Sequence, residues 1–201
     1  MTDELRDAWR LFLLEWEAAK HYHLPYALII GHTFRNPLVE HLLPALLLVR
    51  GASILDEGLE QVIEEQGQPM SRKYRENLEG RISFLADRGA LPNAEKLHRV
   101  RKARNEVAHD PDARIDWLGL ESAISEIEHA LTALGVVGQR PKLEYFGERS
   151  AMAEAPDGRG WTRTFTIGVR ENGKPAYEAT WKEHLEPAGS PSAEGEPPSR
   201  A

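Results

Sequence analysis

Apolar positions in the first two thirds of the chain recur every three to four residues, which places them on one face of a helix. This period predicts five helices, over about residues 4–20, 43–66, 71–88, 92–109 and 116–134. We expect residues 21–36 to connect the first two helices. Pro44 should either separate a short helix or turn near 37–42 from the long second helix or kink the two as one helix.

After Gly138 the hydrophobic period becomes two, which is typical of a β-strand with one buried face. Phe165, Ile167 and Val169 alternate with small or polar residues, and residues 142–146 are a candidate third strand. The change of period therefore predicts a second structural class in the last third of the chain.

Asn172-Gly173 predicts a hairpin turn between two of these strands. A two-residue turn would pair Ile167 with Glu178, whereas a three-residue loop over 171–173 would pair Ile167 with Tyr177. We favour the three-residue loop, because it keeps the apolar residues of both strands on one face.

Together these patterns predict an α+β fold. Residues 1–137 are expected to form a mainly α-helical bundle of about five helices, and residues 138–186 a small antiparallel β module. Residues 187–201 consist mostly of Pro, Gly, Ser, Ala and Glu, so we expect a disordered tail there.

The composition excludes several kinds of site. The chain carries 25 Lys and Arg against 32 Asp and Glu, a formal charge of −7, which argues against a general nucleic-acid coat protein. It has no cysteine, which excludes a disulfide scaffold, a thiol nucleophile, an iron–sulfur cluster and a cysteine-based zinc site. No other metal or cofactor motif is present, so we expect neither.

The start of the chain is acidic, which argues against a secretory signal. The longest apolar stretch, Leu42 to Val49, is too short to cross a bilayer. The sequence therefore predicts a cytoplasmic protein with no membrane association.

The fourth predicted helix has a charge opposite to that of the chain. Its five cations and two carboxylates leave a net charge of +3; they are Lys96, Arg99, Arg101, Lys102 and Arg104 against Glu95 and Glu106. Such a helix suits RNA phosphates, and we expect Arg99, Arg101 and Lys102 to hold the RNA backbone. The alternative is that this helix docks on the acidic end of the second helix, its own or a partner's.

The same helix ends in Arg104-Asn105-Glu106-Val107-Ala108-His109. This motif, near the end of a late helix in a helical bundle, resembles that of the HEPN superfamily (higher eukaryote and prokaryote nucleotide-binding domains) over roughly residues 1–135. The resemblance implies catalytic roles for Arg104, Asn105 and His109. It also implies a homodimer with the motif at its interface, and RNA cleavage without a metal that leaves a cyclic phosphate.

The chain departs from some toxin members of that superfamily, which carry a tyrosine two residues after the histidine. Here Pro111 occupies that position. Regulation by modification of that tyrosine is therefore not expected.

The residue types suit RNA cleavage. Histidine titrates near neutral pH and can move a proton, and arginine can grip two phosphate oxygens at once. Arg104 and His109 are five residues apart, about 140° around an ideal helix. They converge only if Arg104 reaches along the helix, if the last turn unwinds, or if a second copy completes the cleft.

Two functional hypotheses follow. The first is a metal-independent endoribonuclease, acting as a toxin or an anti-phage defence effector, with RNA as substrate and a neutralising partner protein. The second is a non-catalytic interaction module of the HEPN fold. A purely structural interpretation also stands, in which Arg104 pairs with Asp110 or Asp112 and His109 caps carbonyls at the helix end.

Overall fold

The structure is a computed structural model that describes residues 3–29, 38–67, 69–154 and 161–185. In this part of the chain five α-helices precede three strands: α1 (Asp3–Ile29), α2 (Leu43–Glu65), α3 (Leu78–Ala86), α4 (Ala94–His109), α5 (Trp117–Ala133), β1 (Leu143–Glu154), β2 (Trp161–Glu171) and β3 (Lys174–Leu185). A π-helical turn, Leu38–Leu42, runs directly into α2. The predicted α+β class, with five helices before a small antiparallel sheet, is confirmed.

Helix α2 lies at the centre of the bundle and packs against the other four helices. Five of its apolar residues at helical spacing are buried: Leu47, Ile54, Leu55, Leu59 and Val62. Gly58 lets α5 approach closely, because a Cβ there would lie 2.7 Å from a methyl carbon of Leu131. The bundle core therefore forms around α2.

Helix α1 is longer than predicted, and the expected connection over 21–36 is wrong for residues 21–29. The ring of His21 stacks on Tyr145 of β1, with centroids 4.7 Å apart, and its Nε2 lies 2.8 Å from a carboxylate oxygen of Glu17. The stack with Tyr145 holds this part of α1 against the sheet. Residues 30–37 lie outside the described residues.

Helix α3 begins later than the predicted residue 71. The side chain of Asn77 accepts a hydrogen bond from the backbone N–H of Gly80 and so caps the helix. A Cβ on Gly80 would lie 1.9 Å from the carbonyl oxygen of Arg75, so the preceding segment folds tightly over the first turn. The other bounds agree within two residues for α2, α4 and α5.

Both considered registers of the β2–β3 hairpin are wrong. Asn172 and Gly173 form a two-residue turn with positive φ angles of 50° and 82°. A bulge at Ala176 then shifts the register, so that Val169 pairs with Tyr177 and Ile167 pairs with Ala179. The apolar residues still share one face, because the bulge restores the alternation that a plain two-residue turn would have lost.

The sheet has the order β1-β2-β3 and packs on α1. A small second core joins Ile167 and Val169 of β2 to Leu14 and Ala18 of α1. The predicted division into a bundle over 1–137 and a β module over 138–186 stays a prediction, and the tail over 187–201 lies outside the described residues. No helix within the described ranges is long and apolar enough to span a membrane.

Candidate functional site

Helix α4 carries the candidate site and is anchored on one side to the bundle. Leu97 and Val100 are buried in the core. At its start, the Nδ2 of Asn93 donates to the backbone carbonyl of Glu126 at 3.0 Å and to its carboxylate at 2.8 Å, which ties α4 to α5. The opposite side of α4 is left to the polar residues.

Three of the five cations on α4 pair with carboxylates: Lys96 with Glu126 at 2.7 Å, Arg99 with Glu95 at 3.2 Å, and Arg101 with Glu79 at 3.4 Å. The first pair reaches α5, the second stays within α4, and the third reaches α3. The cations in the first half of α4 are therefore largely neutralised by carboxylates of the same molecule.

Arg101 is the most enclosed of these cations, with only 17% of its side chain exposed. Its Nε–H is buried and has no hydrogen-bond partner in the part of the chain that the structure describes. A charge-assisted N–H···O bond normally measures about 2.7–2.9 Å. The 3.4 Å separation from Glu79 therefore leaves both groups with unfilled hydrogen-bonding capacity.

Lys102 and Arg104 have no carboxylate partner among the described residues. Arg104 donates from Nη1 to the Oδ1 of its neighbour Asn105 at 3.0 Å. The side chain of Asp110 instead accepts from the backbone N–H of Asp112 at 2.9 Å. The purely structural pairing of Arg104 with Asp110 or Asp112 is therefore not formed.

Arg104 and Asn105 line a cavity of about 220 Å³ between three helices. Its polar wall consists of Arg101, Arg104 and Asn105 of α4, Ser53 and Asp56 of α2, Glu79 of α3, and Asn77, which caps α3. The structure thus brings two of the three motif residues, and the expected RNA-binding Arg101, to one concave surface.

His109 lies outside this cavity, as the exposed last residue of α4. Its side chain makes no hydrogen bond within the described residues, so it does not cap the helix-end carbonyls. It follows Asn105 by four residues and shares its face of the helix, whereas Arg104 is displaced by five. Asn105 therefore lies both at the cavity and on the helix face that carries His109.

The acidic lining of the cavity escaped the sequence analysis. Asp56 belongs to the acidic end of α2, where it and Glu60 both pair with Arg81 of α3; the Asp56 oxygen lies 2.6 Å from Nη1. Asp56 and Glu60 of this acidic end therefore pair with an arginine of α3, whereas the alternative hypothesis gave the basic helix α4 as the partner. No local signal marks Asp56 or Glu79, because only the packing of α2 and α3 against α4 brings them to the site.

His98 lies one turn before Arg101 and faces α3. Its Nε2 is 3.5 Å from the hydroxyl of Ser83. Burial lowers the pKa of His98 below its usual value, and the nearby charge of Arg101 lowers it further, while Glu79 opposes the shift. A neutral imidazole at this position avoids adding a third cation beside Arg101 and Lys102.

Comparison with known proteins does not add to this geometry: no family model, no curated protein and no solved structure matches the chain significantly. Within the described residues, no group of three or more His, Asp and Glu side chains is arranged to hold a metal ion. What the site can do therefore has to be argued from its own side chains.

Proposed function

We propose that this chain is a metal-independent endoribonuclease of the HEPN type. The observation that supports it is the state of the motif. Arg104 is bonded to Asn105, lines a cavity and has no carboxylate partner in the described chain, while His109 is exposed at the end of the same helix. These are the side chains that phosphate binding and proton transfer require.

The reaction can be written with the RNA and the motif residues of two copies of this chain. The 2′-oxygen bonds to phosphorus and the bond from phosphorus to the 5′-oxygen breaks, which leaves a 2′,3′-cyclic phosphate and a 5′-hydroxyl. His109 takes the proton of the 2′-hydroxyl or supplies one to the leaving oxygen. Arg104 stabilises the charge on the phosphate, and Asn105 holds the guanidinium of Arg104 through its Oδ1.

A homodimer would complete this chemistry. One chain presents a single histidine of the motif, whereas the reaction moves one proton from the 2′-hydroxyl and another to the leaving oxygen. A second copy related by a two-fold axis would place its own His109 across the cleft. In this proposal α4 lies near the interface, and RNA enters between the two copies.

Lys102 and Arg99 hold the RNA backbone beside the motif. Lys102 is exposed and has no carboxylate partner among the described residues. The pair of Arg99 with Glu95 is exposed on both sides, and such pairs contribute about 0–1 kcal/mol, so phosphate can replace the carboxylate. Arg101 is enclosed and lines the cavity, so it does not contact the RNA backbone in this proposal.

The cellular role we propose is that of a toxin or anti-phage effector with a neutralising partner protein.

The test is RNA cleavage in the presence of a chelator of divalent ions. Wild-type protein, Arg104→Ala and His109→Ala are compared on mixed cellular RNA, with His129→Ala as the control, since His129 is an exposed histidine on α5. We expect wild type and the control to cleave and both motif variants to fail. Equal cleavage by all four proteins, or cleavage by none, refutes the proposal.

The second candidate function is a non-catalytic interaction module. It is supported by the ion pairs of Lys96, Arg99 and Arg101, which consume three of the five cations of α4 within the molecule. Salt-sensitive RNA or protein binding without any cleavage, unchanged by His109→Ala, is the result that this candidate predicts.

A further inference from the structure

The cavity beside Arg104 is sized for one chemical group. Its volume of about 220 Å³ is below the roughly 300–1,000 Å³ of pockets that hold drug-sized ligands. A whole nucleotide would fill it and extend beyond it, whereas one phosphate or one base could enter. The choice between these two groups depends on the charges of the wall.

The ionised groups of the wall cancel. Arg101 and Arg104 carry two positive charges and Asp56 and Glu79 two negative charges. The ion-pair partner of Asp56 does not alter the balance, because Arg81 adds one positive charge and its other partner, Glu60, adds one negative charge. A phosphate would meet two carboxylates here, whereas a neutral heterocycle with both donors and acceptors would meet complementary groups.

Both the acceptors and the donors have capacity left for a ligand. Arg81 reaches one oxygen of Asp56, and an ionised carboxylate has about four lone-pair sites. Glu79 and Arg101 are 3.4 Å apart, and the Nε–H of Arg101 has no partner within the described chain. The wall therefore offers a carboxylate and a guanidinium side by side, neither of them saturated.

We propose that this cavity binds a guanine base. This proposal rests on the proposed function only where it assigns the guanine base to an RNA strand whose phosphate Arg104 binds. Guanine presents two parallel N–H donors, at N1 and N2, to a carboxylate, and its O6 and N7 accept the two N–H groups of an arginine. Adenine, cytosine and uracil lack the paired donors, so they leave a carboxylate unpaired.

The direction of α4 places base and phosphate in a consistent order. Arg101 comes first on the helix and has only 17% of its side chain exposed, Arg104 and Asn105 follow, and His109 is exposed at the helix end. A base held by Asp56 or Glu79 with Arg101 therefore leaves its ribose and phosphate directed toward Arg104. Cleavage would then follow guanosine residues.

The experiment measures binding separately from cleavage. Isothermal titration calorimetry compares the 3′-monophosphates of guanosine, adenosine, cytidine and uridine on the full chain. We expect guanosine 3′-monophosphate to bind roughly 5- to 150-fold more tightly than the others, the range that one bidentate base contact provides. Equal affinities, or no binding of the guanine nucleotide, overturn the proposal.

Variants locate the binding to the cavity. Asp56→Asn and Glu79→Gln each replace one carboxylate of the wall, and Glu57→Gln is the matched control on α2, exposed and outside the cavity. We expect at least one wall variant to abolish the preference for guanine while its thermal unfolding stays cooperative, and the control to retain it. A preference kept by both wall variants overturns the assignment.

Mapping of cleavage sites on a defined RNA separates this proposal from the proposed function. Cleavage at all four nucleotides without any preference for guanine leaves the nuclease and refutes the guanine site. Tight guanine binding to wild type and to His109→Ala, without cleavage by either, keeps the guanine site and refutes the nuclease. In that case the ligand is a free guanine nucleotide.

Discussion

The two halves of α4 carry similar cations in different circumstances. Lys96, Arg99 and Arg101 in the first half pair with carboxylates of α5, of α4 itself and of α3. Lys102 and Arg104 in the second half have no such partner among the described residues. The helix looks uniformly basic in sequence, but the cations of its first half form ion pairs within the molecule, whereas two cations of its second half have no carboxylate partner among the described residues.

This difference teaches that net charge is a poor guide to the site. The net charge of +3 belongs to the whole of α4 and does not show which of its cations are paired. Only the ion pairs distinguish the two halves. Arg104 and Lys102 lie in the half without these ion pairs, whereas Arg99 and Arg101, which are also proposed to contact RNA, lie in the paired half.

The largest expected effect is that of His109→Ala. Loss of a general acid–base group typically costs about 10²- to 10⁴-fold in rate, so cleavage should fall by that much. Because His109 is exposed and unbonded within the described chain, the thermal unfolding temperature should stay the same. The measurements are RNA cleavage rate and differential scanning calorimetry. Unaltered cleavage by His109→Ala would show that this residue of the second half of α4 takes no part in the reaction.

Arg104 should come next. Arg104→Ala removes a donor to the charged phosphate, which we expect to slow cleavage by about 10²-fold. Arg104→Lys keeps the charge but loses the two-point grip, so it should recover only part of the rate. Lys96→Ala, on the paired half, is the matched control and should cleave at nearly the wild-type rate. An equal loss for Lys96 and Arg104 would erase the contrast between the halves.

Arg101→Ala tests whether the ion-paired first half of α4 stabilises the fold. Removing its contact with Glu79 and its enclosed stem should lower the free energy of unfolding by about 1–3 kcal/mol. Lys102→Ala, one residue further along, should change it by less than about 0.5 kcal/mol, because its side chain is exposed. Urea denaturation of both variants measures the difference. A greater loss for Lys102 would reverse the assignment of the halves.

The smallest expected effect is a pH dependence from His98. Its pKa is lowered in the folded chain, so the unfolded chain takes up the proton first as the pH falls. His98 therefore adds stability above the usual imidazole pKa of about 6.5 that is lost as the pH drops through that value. Urea denaturation between pH 7.5 and 5.5 should show a shallower slope for His98→Gln than for wild type. An equal slope would mean that His98 is not desolvated.

Local signals predicted much of the bundle. The bounds of α5 follow from the cap on Asp116, whose side chain accepts from the N–H of Gly119 at 2.7 Å, and from Gly135 with its φ of 71°. The end of α4 at His109 follows from Pro111, since neighbours of proline leave the helical region. Caps and breakers act within a few residues and can be recognised in the sequence.

Features that depend on distant contacts could not be predicted. The part of α1 at His21 is held by a stack on Tyr145, which is far away in sequence. The bulge at Ala176 appears only when the register has to bring Val169 opposite Tyr177 on the face that packs on α1. The motif residues of the site were found from α4 alone, whereas its carboxylate wall depends on how three helices meet.

The central claim is that Arg104 and His109 carry out RNA cleavage through the 2′-hydroxyl. The most direct measurement is the end-group analysis of RNA fragments made by the purified protein in the presence of a chelator. The account predicts 2′,3′-cyclic phosphate and 5′-hydroxyl ends from wild type, and no such fragments from His109→Ala. Fragments with 5′-phosphate and 3′-hydroxyl ends, or the same cyclic ends from His109→Ala as from wild type, would contradict it.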